Sequence, residues 1–222
     1  MLVSVISSGP GISSKDKTEH LMRGKTNMWT PVETQFYAKQ NPIGIICIGD
    51  FEEAHTIRTF AEQLNLVVRF YRMGTPGDFL KVISREPELP PCIIICAHGD
   101  ENGIVFGDYM EGIDTSMLKD ESMPPECIEK HANLTDRIVV NTCCVGGTDA
   151  MANAFLESKP RCYIGSLDYQ NAASTSIFLT LFLDQLLRKN KPALEAWNRA
   201  ASYDDETRHF AFYDSNGRQK IE

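Results

Sequence analysis

Apolar residues along this chain fall into short unbroken runs, separated by stretches whose apolar positions recur at helical spacing. "IGIICIGD" (43–50) is apolar until it ends on Gly49-Asp50, which predicts a strand buried on both faces. "FEEAHTIRTFAEQLN" (51–65) sets Ala54, Ile57, Phe60, Ala61 and Leu64 on one helix face. "LVVRFYR" (66–72), β-branched and aromatic, predicts a second strand. "TPGDFLKVISRE" (75–86) opens on Thr-Pro and lines up Phe79, Leu80 and Ile83, a helix. "CIIICA" (92–97), "RIVV" (137–140) and "RCYIGS" (161–166) predict strands three to five. "GIVFG" (103–107) predicts part of a short hairpin, and Pro124-Pro125 precede a short helix near 126–132. "TDAMANAFLESK" (148–159) predicts a helix. "AASTSIFLTLFLDQLLRKN" (172–190) predicts a long one with Ile177, Phe178, Leu181, Phe182 and Leu186 inward. "PALEAWNRAAS" (192–202) predicts the last helix, and "HFAFYD" (209–214) a closing edge strand.

Strands alternating with helices predict an α/β domain: a mostly parallel central sheet with helices on both faces, a three-layer sandwich. Residues 1–40 are weakly patterned and rich in Ser, Thr, Lys and Gly, so an N-terminal extension is expected before a domain spanning 41–222. The segment 108–135 is polar and acidic, a candidate lid or docking place for a regulatory partner.

Composition narrows the classes. At 222 residues, 42% hydrophobic and 23% charged, the chain suits one globular domain plus an arm. A net charge of −8 argues against binding nucleic-acid phosphates. No apolar run approaches the roughly 20 residues of a membrane helix, so no membrane association is expected. "MLVSVISSGPG" lacks a basic start and is broken by Gly and Pro, so no signal peptide is expected. Seven cysteines (47, 92, 96, 127, 143, 144, 162), several inside apolar runs, predict reduced thiols in a cytoplasmic setting.

Two strand tips carry the candidate chemistry. The third predicted strand stops at His98-Gly99, and the fourth runs into "NTCCVGG" (141–147). Ligands of open α/β sheets bind at the carboxyl ends of strands. Neighbouring tips would bring an imidazole and a thiol together, and an imidazole that takes a thiol's proton makes it a strong nucleophile. Gly146-Gly147 would let the chain turn sharply after the cysteines. A zinc site from Cys96, His98, Cys143 and Cys144 is disfavoured, because the ligand spacings of zinc sites are absent. Gly-x-Ser-x-Gly and nucleotide-binding glycine motifs are absent too, so neither a metal nor an organic cofactor is expected.

These runs resemble the caspase-type, clan CD, cysteine peptidases. "AHGDENGIVFG" is similar to the caspase run in which Ser-His-Gly and acids precede an apolar "IIFG", and "IVVNTCC" resembles the strand ending in Gln-Ala-Cys. Residues 52–83 have the family's helix-strand-helix layout, and residues 151–200 are similar to the CHAT branch. The resemblance implies a cysteine endopeptidase acting on protein or peptide substrates. It implies His98 as general base, the N–H groups of Gly99 and Cys143 as oxyanion donors, and Asn141, two before the nucleophile, as a substrate-binding residue. Apolar Ile138, Val139 and Val140 before it, and Gly146 three after it, favour Cys143 as nucleophile. Counting a glycine two places after selects Cys144, which then puts polar Asn141 inside the strand. Residues 163–187 contain no Lys or Arg but do contain Asp168, a candidate substrate-binding carboxylate for a basic or neutral P1 residue. Cys47, Cys92, Cys96, Cys127 and Cys162 read as packing residues. Two other readings stand beside the peptidase: an inactive caspase-like module that binds protein partners, and an unrelated α/β binding protein.

Overall fold

In the computed structural model, residues 42–49, 51–84 and 88–221 are described. The extension expected over 1–40 lies outside the described residues. The chain runs β1 (Pro42–Cys47), α1 (Phe51–Gln63), β2 (Val67–Arg72), α2 (Pro76–Ile83) and β3 (Cys92–Cys96). Three short strands follow, β4 (Gly99–Asp100), β5 (Gly103–Val105) and β6 (Ser122–Met123), then α3 (Pro125–His131) and β7 (Ile138–Asn141). α4 (Asp149–Leu156), β8 (Cys162–Ser166), α5 (Ala172–Leu183), α6 (Ala193–Ala201), β9 (Phe210–Asp214) and β10 (Gly217–Arg218) complete it.

A seven-stranded sheet of order β10-β9-β8-β7-β3-β1-β2 forms the middle layer. The strands β2, β1, β3, β7 and β8 are parallel, and β9 returns antiparallel to β8. Side chains alternate across the sheet, so each central strand feeds two cores. Cys92, Ile94 and Cys96 of β3 pack with Ala54, Ile57, Phe178 and Trp197 of α1, α5 and α6. Ile93 and Ile95 pack with Phe79, Ile128, Met151 and Phe155 of α2, α3 and α4. Burial on both faces is why these strands are apolar throughout. The fold is thus the expected mixed α/β sandwich.

Helix ends follow local chemistry. Thr75 caps α2 by accepting the Asp78 N–H, with Pro76 in the first turn. Asn171 caps α5 by accepting the Ser174 N–H. The long helix expected to reach 190 departs from α geometry after Leu183. Asp184–Arg188 form a π-type turn, closed by Lys189 N–H donating to Asp184 C=O at 3.0 Å. Asp184 also ion-pairs with Arg188 and, at 3.0 Å, with Lys189. α6 is tied to β9 by the buried Trp197, whose Nε1–H donates to Phe210 C=O at 2.6 Å. Part of the acidic 108–135 segment is structural: Ser122-Met123 add a strand to β5 and Ile128 is buried. No helix among the described residues is long and apolar enough to cross a membrane.

Candidate active site

β3 and β7 are hydrogen-bonded neighbours, with Ile95 opposite Asn141. Their carboxyl tips therefore meet, and Thr142 N–H continues the ladder to Ile95 C=O at 2.9 Å. A β-carbon added at Gly99 would lie 2.3 Å from Cys144 O and 2.9 Å from Cys143 Cβ. The backbone beside His98 thus lies directly against the Cys143–Cys144 peptide, an approach open only to glycine. The His98 side chain is exposed.

The hairpin that carries His98 is held from within. Val105 N–H donates to His98 C=O at 3.0 Å. Asp100 Oδ1 accepts from Asn102 and Gly103 N–H, and its Oδ2 accepts from Ser122 Oγ–H at 2.9 Å.

The chain after β7 makes an elbow over 142–148. Val145 sits at φ 49°, a left-handed conformation that a β-branched residue adopts only under constraint. Two tyrosines supply constraint from beneath. Tyr163 Oη–H donates to Gly146 C=O at 2.6 Å, and Tyr213 Oη–H to Gly147 C=O at 2.6 Å. Gly147 N–H donates to Ser166 C=O, and a β-carbon on Gly147 would meet Gly165 O at 2.3 Å. Burial pushes the Tyr163 hydroxyl well above its ordinary pKa, so it stays a donor.

Asn141 serves this elbow. It is fully buried, its Nδ2 donates to Tyr163 Oη at 2.9 Å, and its Oδ1 accepts the Cys143 N–H at 3.1 Å. Asn141 holds the turn rather than opening to a pocket, and the Cys143 N–H is already engaged. The physical reason is the face on which Asn141 falls: it shares the side of Val139, over Tyr163, where a buried amide must find partners.

The two cysteines part company. Cys143 is 1% exposed and packs with the apolar cluster of Ile104, Val139 and Met151. Burial raises its thiol pKa well above the ordinary range, and the Glu53 charge adds to this. Such a thiol stays protonated at neutral pH. Cys144 is partly exposed, and its Sγ lies 4.0 Å from Gln170 C=O, at the start of α5. Thr142 marks the same side of the sheet, since its Oγ1–H donates to Glu53 Oε1 of α1 at 2.6 Å.

Asp168 stands in the loop after β8. Its C=O accepts the Val145 N–H at 3.3 Å, and its carboxylate, more than half exposed, lies 3.3 Å from His209 Nδ1. The next residue, Tyr169, reaches across to the His98 hairpin, where its hydroxyl donates to Glu101 Oε1 at 2.8 Å. Glu53, Tyr163 and Tyr213 are site residues that motif reading passes over. The only sequence signal for the tyrosines is their inward parity in β8 and β9. Among the described residues, no three His, Cys, Asp or Glu side chains gather as a metal ion needs.

No family model matches the chain, and no curated protein does. Among solved structures, the crystal structure of the Arg-specific cysteine proteinase gingipain R superposes with TM-score 0.50 at 12% identity, covering 77% of this chain and 44% of that one. The Saccharomyces cerevisiae separase–securin complex superposes with TM-score 0.51 at 11% identity, covering 80% of this chain and 12% of that one. This chain thus spans less than half of either matched chain. At such identities the likeness speaks for the fold alone, and the fold is a caspase-like α/β sandwich.

Proposed function

We propose that this chain is a cysteine endopeptidase in which His98 and one of the tandem cysteines form the dyad, and that Cys144 is the nucleophile. The carrying observation is the contrast between the cysteines: Cys143 is 1% exposed, whereas Cys144 is partly exposed at the strand tip that neighbours the one ending in His98. The sequence register that favours Cys143 yields here to burial, because attack needs an accessible thiolate. In the reaction, His98 takes the Cys144 proton and the thiolate adds to the scissile carbonyl. Backbone N–H groups of Gly99 and Cys144 hold the oxyanion. The intermediate collapses as His98 returns the proton to the departing amine, leaving a thioester. Water, deprotonated by His98, then frees the acid and restores the thiol.

With Cys144 as nucleophile, the residue two before it is Thr142, bonded to Glu53. The carboxylates of Glu53 and Asp168, each in a segment that bonds to the 142–145 turn, favour a basic P1 side chain over an acidic one. Gingipain R, which shares the fold, is an Arg-specific enzyme. Thiols at Cys92, Cys143, Cys144 and Cys162 suit a reducing, cytoplasm-like compartment. The 108–135 segment, with Met110 86% exposed, is the surface proposed for a regulatory protein partner. The layout of α4, β8, α5 and α6 favours the CHAT branch.

A peptidyl ketone with Arg or Lys at P1 tests the reading. Mass spectrometry is expected to map one adduct to Cys144, lost in Cys144→Ala and kept in Cys143→Ala. The reverse pattern returns the role to Cys143. No adduct across a panel of P1 residues favours the inactive, partner-binding module.

A further inference from the structure

The elbow has two sides, and the proposed dyad uses one. On the other side lies a cleft of about 290 Å³, lined by Asp100, Glu101, Ile104, Pro125, Val145 and Met151, with Cys143 in its wall. We infer that this cleft is the subsite for the first residue of the leaving half of the substrate, and that it accepts an uncharged apolar side chain. The inference rests on the peptidase reading.

The direction follows from proton transfer. The imidazole that accepts the thiol proton must deliver it to the departing amine, so the leaving half lies against the histidine's own hairpin. That hairpin, from Asp100 to Ile104, makes one wall of the cleft. The elbow makes a second through Val145 and Gly146, and the first turn of α4 a third through Ala150 and Met151. Glu53, Thr142 and Gln170, which stand on Cys144's side, contribute nothing to the lining. The two halves of a substrate would thus be sorted to opposite sides of the same peptide.

Size and chemistry name the occupant. The volume is near the small end of ligand sites, roughly 300–1,000 Å³, enough for one side chain and not a large cofactor. Ile104, Pro125, Val145 and Met151 give apolar walls. The Asp100 carboxylate is held in place by Asn102, Gly103 and Ser122. The Glu101 carboxylate is turned to Tyr169. An acidic side chain would lose its hydration here and face two carboxylates, and the apolar walls favour Leu or Phe over a hydrated cation.

The experiment uses the full chain and peptides that share one P1 residue while the next residue is Leu, Phe, Gly, Asp or Lys. Leu or Phe is expected to exceed Gly and Lys in kcat/KM by roughly 10-fold or more, and Asp to fall below Gly. Ala150→Trp, at an exposed position of the wall, is expected to level these differences by filling the cleft. A peptidyl ketone that ends at the scissile carbonyl reads the dyad separately. Labelling of Cys144 with cleavage indifferent to the leaving residue overturns this subsite and leaves the peptidase standing. Labelling with a preference that Ala150→Trp does not alter places the preference elsewhere and also overturns it. Absence of both labelling and cleavage removes the peptidase reading and the subsite with it.

Discussion

Gly99 works because it has no side chain. Its α-carbon rests on the carbonyl of Cys144, and a methyl group there would come within 2.3 Å of that oxygen. Gly99→Ala must therefore push the His98 hairpin away from the elbow. Overpacking of this kind costs about 1–3 kcal/mol in stability, while a shift of about 1 Å between reacting groups costs about 100-fold in rate. The variant is expected to stay folded, with a lower denaturant midpoint, and to lose most of its ketone labelling. Labelling at the wild-type rate would mean that the contact does not position the dyad. At this scale, His98 and the Cys143-Cys144 pair were legible because each breaks an apolar run. Which thiol faces solvent was not, since adjacent residues differ only in the side of the sheet to which they turn. Asn141 shows the same limit: its polarity is visible in sequence, its bonds to Tyr163 and the Cys143 N–H are not.

Elements supply the frame in which those residues meet. The loop after β8 and the hairpin β4–β5 approach from opposite sides of the elbow and touch through Tyr169 and Glu101. Both side chains lie at the surface, so the bond is a light clasp between loop and hairpin rather than a structural support. Tyr169→Phe is expected to raise the ketone labelling rate a few-fold with little change in thermal midpoint. A slower rate would instead make the tyrosine hydroxyl a contributor to binding. The strands and most helices were readable from apolar spacing. The departures fall where a polar side chain rules the backbone. Asp184 gathers Arg188 and Lys189 where the long helix changes form. Ser122, tied to Asp100, draws part of the acidic segment into the β4–β6 sheet.

The whole molecule stores many protonated groups in its two cores, and this sets a pH dependence. Burial pushes the Cys92 thiol from its ordinary 9.0 up to about 12, and raises Cys143 and Cys162 as well. Below about pH 9 these thiols are neutral in both folded and unfolded chains, and their contribution is constant. Above it the unfolded chain ionises them while the folded chain does not, so stability falls as pH rises toward 12. Each such thiol removes up to about 1.4 kcal/mol per pH unit across that window. Denaturant midpoints at about pH 8 and about pH 10.5 are expected to differ accordingly, with a shallower fall in Cys92→Ala. Equal midpoints would show that the thiols are hydrated. Burial of this kind follows from composition: apolar runs of five or six residues have to be covered on both faces, and so the α/β layering could be read from the chain alone. The same runs, each ending in a different residue, also marked the rim at which chemistry would lie. The order of strands, which sets the tip of β3 beside that of β7, came only with the folded sheet. So did the division of labour between Cys143 and Cys144, because burial is a property of what packs against a residue, and those partners lie far away along the chain.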